Sequence, residues 1–152
     1  MRERMKIVVV SDSHGNVDVL RDIALREGDA DIFLHCGDSQ VNEVYIKPFV
    51  SVKGNCDYFM DYPPFRIVDT PYGKIYVEHG NRLFPIGVGT LKELGCKIYL
   101  QGHTHIKKLI KEEDIYFANP GSITKPRDGD LGSYLVLHLT KDKVDFIFKT
   151  LD

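Results

Sequence analysis

Five short polar clusters are spaced along this chain, and each one directly follows a run of residues with strand character. Buried parallel strands have short apolar sequences, and their carboxyl ends meet at one edge of a sheet. The pattern therefore predicts a sheet whose loops bring distant parts of the chain to one point. The clusters are Asp12-Ser13-His14, Gly37-Asp38, Gly54-Asn55, His79-Gly80 and Gly102-His103-Thr104-His105.

The amino-terminal residues predict a β-α-β unit. Residues 6–11 form a β-branched run, and Asn16 precedes apolar residues that recur at helical spacing from Val17 onward. A second apolar run at 32–35 completes the unit, which favours parallel strands joined by a right-handed crossover. Later patterns predict a short helix over 86–94 and strands over 49–53, 65–69, 74–78, 97–101, 115–118, 133–139 and 144–148. The fold class predicted from the pattern is α/β, with parallel strands early and antiparallel strands late.

The side chains in the five clusters form a ligand set for metal ions. They comprise two carboxylates, one amide and four imidazoles, without a thiolate. This is enough to bind two divalent ions. A two-metal centre activates water and stabilises an in-line displacement at phosphorus, so the set indicates a reaction class.

Two clusters place their ligands two residues apart, Asp12 with His14 and His103 with His105. In an extended backbone, residues i and i+2 point the same way. We therefore expect extended loops at both positions, with the neighbouring glycines allowing tight turns and close approach to the ions.

Each cluster has an ordinary structural explanation when taken alone. A Gly-Asp or Gly-Asn pair is usually a turn, and an isolated His-X-His on a loop is usually incidental. The five clusters, however, all follow predicted strands, and they contain four of the six histidines. The metal interpretation is therefore favoured over five separate turns. The two remaining histidines are predicted to have other roles: His35 to pack or support the site, and His138 to face solvent or the edge of the core.

Length and composition indicate a single domain, residues 1–152, with 1–4 as a loose amino-terminal extension. The three cysteines form no paired motif, so neither disulfides nor a structural zinc site is expected. The apolar run behind the amino terminus is too short for a signal peptide, and no stretch reaches the ~20 apolar residues of a membrane span. We therefore predict a cytoplasmic protein without a membrane partner. The net charge of -2 shows no basic stripe for long nucleic acids.

The order DxH, GD, GN, H, GHxH resembles the signature of the calcineurin-like metallophosphoesterases. Gly54-Asn55-Cys56-Asp57, the early Asp12-Ser13-His14-Gly15 and the late Asn119-Pro120-Gly121-Ser122 are similar to the small YfcE/YsnB-type phosphodiesterase subfamily. The resemblance covers residues 6 to 139. It implies a four-layer sandwich of two packed mixed β-sheets flanked by helices.

The resemblance also implies a division of the ligands between two metal ions. A bridging hydroxide would attack phosphorus, with Asp38, His79 and His103 acting through the metal centre. Relatives commonly use manganese, with nickel, iron or zinc as alternatives, and four imidazoles disfavour magnesium. The implied ligands are Asp12, His14 and His105 for one ion, Asn55, His79 and His103 for the other, and Asp38 between them.

Two positions limit this comparison. Cys56 stands where many relatives carry a histidine that assists the leaving group, and Asn81 stands where many have a second histidine after His79-Gly80. A thiol is poorly suited to protonating an alkoxide, so we expect activated esters to be favoured. Arg82 is predicted either to contact a phosphate oxygen or to form a surface salt bridge.

The predicted function is hydrolysis of a small phosphoester, most simply a phosphodiester. Alternatives on the same dimetal site are a phosphomonoesterase and a nuclease. An alternative of another class is a non-catalytic interaction scaffold, as the resemblance to the retromer subunit of this fold implies. A degenerate scaffold lacks ligands, whereas all seven are present here. Relatives of the subfamily often self-associate, so a homo-oligomer is a further expectation.

Overall fold

The computed structural model describes residues 3–125 and 131–151, which contain two packed β-sheets and two short α-helices. Asn16 caps the first helix by accepting a hydrogen bond from the Val19 main-chain N–H at 3.2 Å, as predicted. Of the proposed extension, Arg4 is already the first residue of a strand and pairs with Thr140, while residues 1 and 2 lie outside the described range. In chain order the elements are β1 (Arg4–Val10), α1 (Val17–Arg26), β2 (Ile32–His35), β3 (Phe49–Ser51), β4 (Phe65–Thr70), β5 (Gly73–Glu78), α2 (Val88–Glu93), β6 (Cys96–Leu100), β7 (Lys107–Glu112), β8 (Ile115–Pro120), β9 (Ser133–Thr140) and β10 (Val144–Thr150).

Both sheets have five strands and are mixed, which confirms the predicted fold class. The first has the order β10-β9-β1-β2-β3, with β1, β2 and β3 parallel and β9 antiparallel to both of its neighbours. The second has the order β4-β5-β6-β8-β7, with β5, β6 and β8 parallel. Apart from β3, which lies at the edge of the first sheet, the parallel strands occupy inner positions, where burial on both faces suits their apolar sequences.

The main core lies between the two sheets. Ile7 and Val9 of β1 pack there in one buried cluster with Ile75 of β5 and Ile98 of β6. The alternate residues of β1 face the other way, towards α1, so that residues 7–10 are all fully buried. On the outer face of the second sheet, Leu91 of α2 packs in a separate buried cluster. These contacts give the predicted order of helix, sheet, sheet and helix.

One strand was not predicted. β7 lies at the edge of the second sheet, where β8 is its one partner strand among the described residues. Its sequence is charged apart from Leu109 and Ile110, and both side chains are more than 40 % exposed. Since neither face of β7 is buried, its sequence lacks the alternation that identifies a strand. Within the described residues, neither helix has the length and apolar character to cross a bilayer.

Candidate metal centre

The five polar clusters converge at one edge of the two sheets, as their positions after strands predict. They occupy the loops that follow β1, β2, β3, β5 and β6, and these strands run parallel to a neighbour within their own sheets. The structure brings together side chains from all five loops, including all seven proposed ligands: Asp12, His14, Asp38, Asn55, His79, His103 and His105.

Asp12, His14 and His105 form the first group of potential ligand atoms. Asp12 Oδ1 lies 3.1 Å from His105 Nε2 and 3.9 Å from His14 Nε2. The two imidazole nitrogens are 3.4 Å apart. Three atoms with lone pairs therefore face a common point, within 4.8 Å of one another.

Asn55, His79 and His103 form the second group. Asn55 Oδ1 lies 2.8 Å from His79 Nε2 and 3.1 Å from His103 Nδ1. The His79 and His103 rings meet edge to face, with centroids 5.1 Å apart. This group joins loops that follow strands of both sheets, because Asn55 follows β3 and the histidines follow β5 and β6.

Asp38 lies between the two groups. Its Oδ2 is 3.2 Å from His79 Nε2. A carboxylate oxygen of Asp38 also lies within 4.8 Å of a His14 ring nitrogen. Burial alone would raise the pKa of Asp38, but the hydrogen bond that the Cys56 main-chain N–H donates to Oδ1 at 2.8 Å favours the ionised form and keeps that pKa low. The carboxylate is therefore ionised at neutral pH and placed to reach ions on both sides.

Three of the four ligand imidazoles, those of His14, His79 and His105, are oriented so that bare lone pairs point inwards. Nδ1 of His79 donates to the Cys36 main-chain carbonyl, and Nδ1 of His105 donates to that of Lys125, each at 2.7 Å. A carbonyl oxygen can only accept, so each Nδ1 carries the proton and Nε2 keeps its lone pair. His14 Nδ1 has an equivalent partner in Gln40 Oε1, also at 2.7 Å.

One oxygen in the site lacks a donor. Asp12 Oδ1 is buried and has no hydrogen-bond partner within the described structure, whereas Oδ2 accepts from Ser11 Oγ and from the His103 main-chain N–H. A buried carboxylate oxygen without a donor costs free energy unless a cation compensates it. The residues present therefore fit divalent metal ions, with Oδ1 of Asp12 and the inward imidazole nitrogens as ligand atoms.

The ligand loops are not extended, and this part of the prediction is wrong. Five of the seven ligands adopt a left-handed backbone conformation, which costs non-glycine residues about 1–3 kcal/mol each. Their loops compensate by hydrogen-bonding to one another: the main-chain N–H groups of Asp12 and His14 donate to the carbonyls of Gly37 and Asp38. The residues and φ angles are Asp12 (56°), His14 (45°), Asp38 (64°), His103 (70°) and His105 (62°).

The close approach expected for glycine is confirmed at Gly37, which has a φ of +104°. A Cβ atom at this position would lie 2.6 Å from His79 Nδ1 and 3.0 Å from the Gly54 main chain. Three ligand-bearing loops therefore meet at a point where no side chain fits.

Asp57 supports the centre and was not predicted to do so. Its side chain is fully buried and accepts three main-chain hydrogen bonds. Oδ2 accepts from Asp38 at 2.9 Å and from Gly54 at 2.8 Å, and Oδ1 accepts from Gln40 at 2.8 Å. One carboxylate thus joins the loop that carries Asp38 to the loop that carries Asn55. The sequence signal was the Gly-X-X-Asp spacing, which lets Asp57 cap the Gly54 N–H.

Asn119 supports the histidine loop in the same way. Its Nδ2 donates to the Gly102 carbonyl at 2.9 Å and to Thr104 Oγ1 at 3.0 Å, while Oδ1 accepts from Gly121 N–H at 2.9 Å. Asn119 is fully buried. It therefore fixes the turn that presents His103 and His105.

His35 is a supporting residue rather than a ligand. Burial lowers its pKa to about 3, so the ring is neutral. Nδ1 accepts from the Gly37 N–H at 3.0 Å, which leaves Nε2–H to donate to Ser13 Oγ at 2.9 Å. His35 thus links the loop after β2 to the loop after β1. His138 is exposed on β9, away from the described ligand set.

Cys56 faces the centre, as its place in the motif predicts. Its thiol lies within 4.8 Å of ligand atoms of His14 and Asp38, and its main-chain N–H donates to Asp38 Oδ1 at 2.8 Å. Burial and the Asp38 carboxylate raise the pKa of the thiol. Cys36 and Cys96 are buried free thiols.

A cleft of about 520 Å³ opens beside the centre. Asn55 and His79 form its inner wall, and Asn81 and Arg82 line it from the loop after β5. Both positions at which this chain departs from many relatives, 56 and 81, therefore lie beside the ligands.

Comparisons with known proteins agree with this geometry. The model of the calcineurin-like phosphoesterase superfamily domain matches residues 5–142, which include all five ligand loops. The probable metallophosphoesterase YsnB of Bacillus subtilis is 35% identical over 147 residues, covering 91% of this chain and 86% of YsnB. The phosphodiesterase YfcE of Escherichia coli K12 is 30% identical over 106 residues, covering 64% of this chain and 56% of YfcE. A predicted phosphoesterase from Streptococcus pneumoniae has a solved structure with a TM-score of 0.81 at 27% identity, covering 98% of this chain and 100% of that one.

Proposed function

The chain belongs to the calcineurin-like phosphoesterase superfamily, and we propose that it is a phosphodiesterase that uses two divalent metal ions to hydrolyse small phosphodiesters. Membership of the family supports the broader description, a metal-dependent phosphoesterase. The similarity to YfcE supports the narrower one, since YfcE is named as a phosphodiesterase.

The observation that carries the proposal is a set of acceptor atoms facing one another without protons between them. His14 Nε2 and His105 Nε2 are 3.4 Å apart, and both rings have committed their Nδ1 protons to oxygens outside the centre. Asp12 Oδ1 faces the same space without a donor. Lone pairs at these distances repel unless a cation lies among them. The arrangement is therefore complementary to metal ions.

We propose that Asp12, His14 and His105 hold one ion, that Asn55, His79 and His103 hold the other, and that Asp38 contacts both. The ions, when bound, would supply activation of water and positive charge for the phosphoryl oxygens. Manganese is the proposed metal because an imidazole-rich set disfavours magnesium.

The chain's own side chains have three tasks in this proposal. The two carboxylates neutralise only part of the charge of two divalent ions, so the centre attracts an anionic diester although the whole chain carries -2. His79 and His105 keep their inward lone pairs because their outer nitrogens are hydrogen-bonded. The cleft beside His79 leaves room for an ester group.

The test is hydrolysis of bis-p-nitrophenyl phosphate and p-nitrophenyl phosphate by protein stripped with a chelator and reloaded with manganese or magnesium. We expect the diester to be the better substrate, chelation to abolish turnover, and manganese to restore more activity than magnesium. His79→Ala should lower kcat/KM by at least about 100-fold, since even supporting residues of metal sites contribute 10–100-fold. His138→Ala, a histidine exposed on β9, is the matched control and should change little.

Two of the alternative functions have their own outcomes in this assay. Preference for the monoester would indicate a phosphomonoesterase. Metal-loaded protein that is inert towards a broad panel of both classes would indicate a non-catalytic scaffold. Preferential rescue by magnesium would contradict the ligand argument. A cytoplasmic location, a small rather than polynucleotide substrate and self-association stay proposals that this assay leaves open.

A further inference from the structure

The cleft beside the metal centre has the dimensions and the position of a substrate subsite. Its volume of about 520 Å³ lies within the range of small-molecule pockets, which is roughly 300–1,000 Å³. Two proposed ligands, Asn55 and His79, form part of its wall, so the cleft is continuous with the centre. A diester bound at the centre would therefore place one of its two ester arms here.

Arg82 is fixed at this cleft by buried partners. Its Nε donates to Glu78 Oε1 at 2.7 Å, and its Nη2 donates to the Tyr76 hydroxyl at 3.2 Å. Glu78 is only 4 % exposed, and its other oxygen accepts from the Tyr99 hydroxyl at 2.5 Å. The guanidinium plane is thus held by an acceptor that immediately precedes His79 in the chain.

The fixed guanidinium retains unused donors. Within residues 3–125 and 131–151, the Nη1 group of Arg82 makes no hydrogen bond, and 45% of the side chain is exposed. Lys53 also lines the cleft. Its Nζ group likewise forms no hydrogen bond or ion pair in this part of the chain. Two carboxylates also line the cleft, but Glu78 is paired with Arg82 and the buried Asp57 accepts three main-chain hydrogen bonds, so the unused polar groups of these four residues are the donors of Arg82 and Lys53. Donors held in place in this way bind an anion with little loss of side-chain entropy.

Aromatic rings flank these cations. Phe65 stacks on Tyr76 with ring centroids 5.1 Å apart and an angle of 3° between the planes, yet it remains 43% exposed at the cleft. Tyr58 contributes a second ring that is 73% exposed. Flat apolar walls next to an unused guanidinium nitrogen suit an arm that is planar and carries a negative group.

We propose that this cleft selects phosphodiesters in which one ester arm bears a second anionic group, a carboxylate or a phosphate, and that Arg82 contacts that group. The inference rests on the proposed function, because it assumes that the reacting phosphate sits at the metal centre. It adds a substrate class: diesters with a second anionic group on one arm rather than diesters in general.

Two product-like probes test the charge preference without requiring turnover. These are 4-carboxyphenyl phosphate and 4-carbamoylphenyl phosphate, which have nearly the same shape and differ in the charge of the distal group. Calorimetry on manganese-loaded protein should give a Kd about tenfold lower for the carboxylate, as expected for one charged hydrogen bond. Arg82→Gln keeps an amide donor for Glu78 and should bring the ratio of the two Kd values to about one.

The ratio distinguishes a contact from a purely structural role, because a general disturbance of the site would weaken both probes alike. Lys53→Gln alters an exposed side chain without disturbing Glu78 and should lower the ratio about two- to threefold. Arg21→Gln, which removes an exposed arginine paired with Asp18 on α1, is the control and should leave the ratio unchanged. Equal Kd values in the wild type, or an unchanged ratio in Arg82→Gln, would overturn the proposal.

Failure of this proposal is separable from failure of the proposed function. Hydrolysis of bis-p-nitrophenyl phosphate together with equal Kd values would reject the anion-selective cleft and leave the phosphodiesterase intact. A tenfold preference that depends on Arg82, with no hydrolysis of any diester, would support the cleft and reject the enzyme.

Discussion

Replacing Asp57 by asparagine should damage the protein far more than the similarity of the two side chains suggests. The buried carboxylate accepts three main-chain hydrogen bonds, two at Oδ2 from Asp38 and Gly54 and one at Oδ1 from Gln40. An asparagine side chain has one acceptor oxygen. If the asparagine oxygen takes the place of Oδ2, the amide NH₂ group takes the place of Oδ1 and faces the Gln40 N–H. Both groups are hydrogen-bond donors, so the bond to Gln40 is lost.

The magnitude follows from these three contacts. The two bonds that remain change from charged to neutral and lose roughly 1 kcal/mol each. The Gln40 N–H is left without an acceptor, which costs about 1–3 kcal/mol. We expect a total loss of about 4 kcal/mol, a large share of the roughly 5–15 kcal/mol by which domains are stable.

Urea unfolding in the presence of a chelator measures this loss without a contribution from bound metal. Asp61→Asn, at an exposed position four residues further along the same loop, is the matched control and should change stability by no more than about 0.5 kcal/mol. Manganese affinity measured separately should fall about 10- to 100-fold in the Asp57 variant, because the loops carrying Asp38 and Asn55 lose their shared anchor. A stability loss below about 1 kcal/mol would refute the argument that this carboxylate organises the site.

Three further predictions follow from the structure. Asp38→Ala should lower kcat/KM for bis-p-nitrophenyl phosphate by more than about 100-fold and by more than alanine at any other ligand, since its carboxylate reaches both groups; full activity would exclude a shared role. Glu27 has its pKa held at about 2, because hydrogen bonds, that from Lys149 foremost, more than offset the effect of burial. Its contribution to stability is therefore complete above the ordinary glutamate pKa of 4.5 and lost as pH falls towards 2, so Tm should decline less steeply over this range in Glu27→Gln than in the wild type. Finally, no described imidazole is free to protonate a leaving group, since His35 is committed to Ser13 and His138 lies on β9. We therefore expect kcat to fall steeply as the pKa of the leaving group rises. A kcat that does not depend on leaving-group pKa would contradict this prediction.

The location of the site could be predicted because it follows from strand ends. Runs such as residues 7–10 are β-branched, which identifies them as strands from composition alone. The structure shows these residues fully buried. Once the strands are known, the polar residues just beyond them must lie at one edge of a parallel arrangement. The antiparallel strands of the β9–β10 hairpin were also recognisable from their alternation.

The backbone conformation of the ligands could not be predicted in the same way. The expectation of extended loops used only local geometry, whereas the left-handed conformations of Asp12 and His14 are stabilised by hydrogen bonds to Gly37 and Asp38, about 25 residues away. Such pairing between loops is a tertiary effect that no local pattern in the sequence reports.

The supporting residues were missed for a related reason. Asp57 and Asn119 bond to main-chain groups, which every residue possesses, so nothing about their partners stands out in the sequence. β7 was missed because an edge strand with two exposed faces needs no apolar alternation, and only its pairing with β8 defines it.

Anomalous diffraction from crystals of the manganese-loaded protein tests the dimetal proposal most directly. We expect two manganese peaks per chain. One should lie within coordination distance of Asp12, His14 and His105, the other within that distance of Asn55, His79 and His103, and both should contact Asp38. A single peak at full manganese occupancy, or peaks that do not contact these side chains, would contradict the dinuclear centre on which the proposed function depends.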